Sequence, residues 1–160
     1  MRNLLPLAAL LFIAMPTTLP AQSAVSLQAG AMAGEYDKAF EVGVRVSPAR
    51  ANSVGLGFSF DALPQFLWQG ALIGLTDLSL AGTIGLARDV RLELRAGGSA
   101  LLGIGGGGAA ALGGYHFGAG MVFGMNGPVG LRADYTWRHL EGFDESLPLP
   151  SLTIGVVLQP

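Results

Sequence analysis

The ten residues Val129-Gly130-Leu131-Arg132-Ala133-Asp134-Tyr135-Thr136-Trp137-Arg138 alternate without a break between an uncharged, mostly apolar position and a polar or small one. Successive side chains of a strand point to opposite faces, so Val129, Leu131, Ala133, Tyr135 and Trp137 share one face. Gly130, Arg132, Asp134, Thr136 and Arg138 share the other. The period is that of a β-strand, and the two faces belong in two different solvents. The stretch by itself does not say which face meets water.

Composition narrows the choice. Only 12% of the 160 residues are charged, about half the share of an ordinary soluble domain, and Lys38 is the single lysine. A soluble exterior needs more charge than this. The 25 glycines argue against helices, because an interior glycine costs a helix roughly 1 kcal/mol relative to alanine. The absence of cysteine excludes a disulfide framework and thiolate metal sites, and a net charge of −2 offers no electrostatic footprint for nucleic acid.

Met1 to Ala21 has the layout of a secretory signal: Arg2, an apolar run from Leu4 to Met15, then Pro16 and a small residue before Gln22. Cleavage is expected after Ala21, with Ala24 as the competing position, leaving 22–160 as one barrel domain. The apolar run is shorter than the ~20 residues of a spanning helix.

Seven further alternating segments surround the opening one. They are Val25–Met32, Phe40–Val46, Ser53–Ala62, Ile73–Leu86, Val90–Leu102, Ala109–Met125 and Ser151–Leu158. The links after even-numbered segments read as tight and those after odd-numbered ones as longer, namely Gly34–Ala39, Leu63–Leu72, Gly103–Gly108 and His139–Pro150. That alternation predicts an all-β chain: an eight-stranded antiparallel up-and-down transmembrane β-barrel with both termini at the short-turn end.

The polar face decides which side meets lipid. It carries Arg45, Arg91, Arg95, Arg132 and Arg138 against Glu41, Asp61, Asp77, Glu93 and Asp134, with glycine and serine between them. Five cations facing five anions among small residues suit the crowded lumen of a narrow barrel, where charges are tolerable only when paired. The remaining charges fall at the ends: Glu35, Asp37, Lys38, Glu141, Asp144 and Glu145 at the long-loop end, and Arg50, Arg88 and Asp89 at the other. Phe40, Phe60, Tyr135 and Trp137 lie toward the long-loop ends of their strands, as an interfacial girdle would. Phe123 is the clearest member of a thinner girdle at the opposite end.

On these residues the chain resembles the small eight-stranded outer-membrane barrels of the OmpA/OmpX type, over the whole mature length and by pattern alone. The resemblance implies residence in the outer membrane of a diderm bacterium, with outer-membrane lipid and the barrel-assembly machinery as partners, and a monomer. It also implies a barrel without the periplasmic peptidoglycan-binding domain of full-length OmpA-type proteins. Thr153, Gly155 and Leu158 match the assembly signal that closes such chains, while Pro160 replaces its terminal aromatic.

No stretch reads as catalytic, cofactor-binding or metal-binding. Gly103 to Gly108 matches G-x-G-x-x-G, but the following glycines forbid the helix that a dinucleotide site needs, and no carboxylate appears before Asp134. The uncharged run from Ala96 to Leu131 admits a helical hairpin, which eleven glycines between Gly97 and Gly120 make costly. His116 points into the lumen by parity and His139 falls in a loop, with no serine to nominate for either, and two separated histidines make no metal site. Loop 2, with Pro64, Phe66, Leu67 and Trp68, is unusually apolar for an exposed loop and suits the membrane interface better than a protein partner. The expectation is a structural or adhesive barrel, its lumen plugged by ion pairs. The alternatives are a narrow pore for small solutes or ions and a lipid-modifying outer-membrane enzyme.

Overall fold

The computed structural model describes residues 23–33, 38–124, 126–142 and 145–159. The expected signal with its cut after Ala21, and Glu35, Asp37, Asp144 and Pro160, lie outside them. Ala24, the competing cut site, pairs with Ser47 inside the first strand.

Eight strands follow in chain order: β1 (Ser23–Ala33), β2 (Lys38–Pro48), β3 (Val54–Ala62), β4 (Leu72–Ala87), β5 (Val90–Gly105), β6 (Gly108–Phe123), β7 (Val129–Gly142) and β8 (Glu145–Leu158). A 3-10 turn over Pro64–Gln69 lies between β3 and β4. Each strand pairs antiparallel with its neighbours in sequence, and β1 pairs with β8 from Val25–Leu158 to Met32–Ser151, so the sheet closes. The fold is an eight-stranded up-and-down barrel. Residues 90–123 form the β5–β6 hairpin, which removes the helical alternative for this stretch.

The expected alternation of tight and long links is corrected. Gly103–Gly108 and His139–Pro150, read as loops, are mostly strand: β5 and β6 meet at residues 106–107, and β7 and β8 at 143–144. Conversely, the links at 49–53 and 124–128 are longer than some at the opposite end. Backbone pairing is what extends the strands, as in Leu72–Ile104, Gly105–Gly108 and Gly142–Glu145. Pro148 and Pro150 pair with His139 and Trp137, while β1 reaches β8 only as far as Ser151. The two prolines therefore occupy a strand edge, where a missing N–H costs no ladder bond.

Side-chain parity divides inside from outside. In β7, Arg132, Asp134, Thr136 and Arg138 are buried, whereas Val129, Leu131 and Tyr135 are exposed. Leucines carry much of the exterior, Leu56 being 73% and Leu131 62% exposed. Glycines make room for the interior carboxylates: Gly43 faces Asp61 and Gly120 faces Asp134 across the ladder. A Cβ at either glycine would collide with the facing carboxylate.

Candidate functional site in the barrel interior

The interior side chains form layers along the barrel axis. At the end that holds the termini, Ala24, Val122 and Val157 make a small apolar floor with Ala49 against it. Arg91 is fully buried and donates through Nη1 to the carbonyl of Ala49. Its Nε and Nη2 have no hydrogen-bond partner among the described residues.

A first ionic layer joins β2, β5 and β7. Arg45 Nη1 lies 3.0 Å from Asp134 Oδ1, and Arg95 Nη1 lies 2.6 Å from the same oxygen and 2.9 Å from Glu93 Oε1. Arg132 donates to Asp134 through Nε and through Nη2 at 2.8 Å, and reaches Glu93 at 3.0 Å. Hydroxyls fill the remaining sites: Ser26 and Ser47 accept from Arg132 at 3.1 and 3.3 Å, and Thr136 accepts from Arg95 at 3.3 Å. Three guanidinium groups thus share two carboxylates.

The second ionic layer, nearer the loop end, reverses that ratio. Arg138 donates to Asp77 Oδ2 at 2.8 Å and to Asp61 Oδ2 at 3.0 Å, and its Nη1 stands 3.7 Å from Glu41 Oε2. Ser59 and Ser99 donate to Asp77 at 3.0 and 2.7 Å, and Gln28 donates to Asp61 at 2.6 Å. Neither carboxylate oxygen of Glu41 has a hydrogen-bond partner among the described residues. Three carboxylates share one guanidinium group. The structure therefore gathers eight of the ten interior charges into two ion-paired layers, with Glu41 at longer range and Arg91 apart. The equality of five and five holds for the whole interior but not for either layer.

The expectation that no serine stands near His116 is corrected. Ser99 Oγ lies 2.9 Å from His116 Nδ1, because β5 and β6 bring the two side chains to the same wall. The order of the groups is wrong for a nucleophile. A hydroxyl has one proton, and Ser99 gives it to Asp77, so His116 Nδ1 is the donor to Ser99 and takes no proton from it. The gap beside them, lined by Arg45, Ser59, Asp77, Ser79, Arg95 and His116, is too narrow to admit a water molecule. Among the described residues no three His, Cys, Asp or Glu side chains converge as a metal site.

The sequence reading missed an apolar cap. Met32, Leu63, Leu75, Leu140 and Leu149 form a buried cluster above the second ionic layer, and Phe66 of the 3-10 turn packs onto it. Leu75 and Leu140 have the inward parity of Asp77 and Arg138, which is the signal that extending the strands would have exposed.

On the exterior, Phe40 and Tyr135 are exposed near the loop end, and Phe60 and Trp137 are partly so. Trp137 stacks on Phe117 with ring centroids 6.4 Å apart and lies 5.9 Å from Tyr115 and 5.7 Å from His139. The aromatic cluster on β6 and β7 is therefore wider than the four residues singled out from sequence.

A closed sheet that exposes leucine and buries arginine fits a surrounding medium that is itself apolar, and closure gives every strand a neighbour on both sides. That is the architecture of a transmembrane β-barrel. Solved structures agree on the fold. The N-terminal β-barrel domain of Pseudomonas aeruginosa OprF matches with a TM-score of 0.58 at 16% identity, over 86% of this chain and 98% of that one. Neisserial surface protein A matches at 0.61 and 13%, over 86% and 96%. Ail, the attachment invasion locus protein of Yersinia pestis, matches at 0.52 and 12%, over 86% and 95%. The chain thus has the OmpA/OmpX-like small-barrel fold. No protein-family model matches the sequence, and no curated protein matches it significantly.

Proposed function

We propose that the chain is a monomeric, non-enzymatic barrel of the outer membrane, delivered by a cleaved signal and the assembly machinery, with its lumen plugged by ion pairs and its role structural rather than catalytic. The observation that carries the reading is the layering: two hydrogen-bonded ionic layers between an apolar floor and an apolar cap. Water and ions crossing the lumen would have to open both. Planar-bilayer recordings are expected to show no steady single-channel steps, and regular steps would replace the plug with a narrow pore.

A surface role is limited by short reach. The connections at the loop end are short apart from the uncharged 63–71 link, and the charges assigned to that end sum to −4. One solved structure of Ail holds the heparin analogue sucrose octasulfate. A rim of this sign is a poor partner for a polysulfate, so this chain is expected not to retain heparin in a column assay at physiological salt. Retention would reinstate an adhesive role. Lipid A from cells with and without the protein is expected to give the same mass spectrum, which tests the non-enzymatic part.

A further inference from the structure

The exterior of the barrel is not the same height all round. On β7 the outward apolar run ends at Trp137, and the next outward positions are His139 and Glu141. On β5 it runs from Val90 through Leu92, Leu94 and Leu102 to Ile104 without a charge, and on β6 from Phe123 to Ala109. A tilted strand climbs roughly 2.5 Å per residue, so the run on β5 is about 35 Å tall and that on β7 about 20 Å, against an apolar band of about 25 Å in membrane barrels. One side overshoots the band and the other falls short.

The tall side continues into the 3-10 turn. Leu67 is 56% exposed and Trp68 91%, while Phe66 beside them packs on the interior cap. Gln69, Gly70, Ala71 and Leu72 carry the chain into β4 without a charge. The charges of the loop end, Lys38, Glu141 and Glu145 among the described residues, lie on β2, β7 and β8 and none on β4 to β6.

We propose that the barrel sits obliquely in the bilayer, so that the outward faces of β4 to β6 and the Leu67–Trp68 turn contact lipid of the outer leaflet. Lipid is the occupant because this surface is continuous with the lipid-facing wall of the same strands, with no charged residue between them. The β6 edge limits the depth. Gly108 to Leu112 pair with β5 but not with β7, whose ladder on β6 ends at Gly113–Glu141. Unpaired backbone groups are costly in hydrocarbon, so the hairpin tip belongs at the headgroup level, with Trp68 near it as an interfacial anchor.

The inference rests on the membrane-barrel reading, and two tryptophans allow the two to be tested apart. Trp137→Phe leaves Trp68 as the only tryptophan, and Trp68→Phe leaves Trp137; Trp137→Tyr replaces the first variant if it fails to fold. Each is reconstituted in phosphatidylcholine vesicles with acyl chains brominated near the headgroup. Both tryptophans are expected to emit at blue-shifted wavelengths and to lose emission to a comparable extent. Quenching of Trp137 with unquenched, water-like emission from Trp68 would overturn the oblique placement and leave the barrel standing. Blue-shifted but unquenched Trp68 would mean that protein covers the turn and would also overturn it. No quenching of either would remove the membrane reading itself.

Discussion

The two ionic layers are built from the same residue types in opposite proportion. Near the termini, Arg45, Arg95 and Arg132 share Glu93 and Asp134; near the loop end, Glu41, Asp61 and Asp77 share Arg138. Their redundancy differs accordingly. If Asp134 is lost, Glu93 still touches Arg95 and Arg132, but if Arg138 is lost no guanidinium group in its layer remains. A balanced interior therefore conceals one position that has no substitute.

The largest effect is expected at that position. Arg138→Met keeps much of the side-chain volume but strands three buried carboxylates, and breaking a buried ion pair typically costs about 3–5 kcal/mol. Urea unfolding in lipid vesicles is expected to lose at least that much, with heat-dependent gel mobility lost at lower temperature. A loss below about 1 kcal/mol would mean that the layer is hydrated and that Arg138 is not its keystone.

Asp134→Ala comes next. Three arginines lose a shared acceptor, but Glu93, Thr136, Ser26 and Ser47 continue to engage Arg95 and Arg132. The expected loss is about 3 kcal/mol, at the lower end of the range for a broken buried pair. An effect larger than that of Arg138→Met would reverse the ranking of the two layers.

The difference between the layers was not legible in the sequence, although most of the fold was. Alternation in Val129–Arg138 and Ser53–Ala62 identifies strands and assigns every side chain to a face, because lipid outside and ions inside impose a period of two. The signal fades at the upper ends of β4 to β8. There Leu75, Leu112, Leu140 and Leu149 point inward, so the interior face loses its charges and the strand continues after its period has disappeared. Residues 103–108 and 139–150 looked like loops for this reason. Which arginine meets which carboxylate depends on register between strands, as does the approach of Ser99 to His116. Parity places a residue on a wall but not at a height.

Arg45→Met is expected to have the smallest effect, and it separates charge ratio from ion-pair count. Arg45 contributes one ion pair, to an oxygen of Asp134 that Arg95 and Arg132 also reach. Removing it leaves two guanidinium groups facing two carboxylates. Replacing a buried charge by a hydrophobic group is often neutral when no partner is abandoned, and here none is, so the expected change is within about 1 kcal/mol. The stronger test is the double variant. With Arg45 replaced, Asp134→Ala strands one fewer cation, and its cost is expected to shrink by about 1 kcal/mol, the coupling that contacting residues show. Strict additivity would mean that Arg45 and Asp134 are screened from each other, and the excess of cations in this layer would then have no energetic consequence.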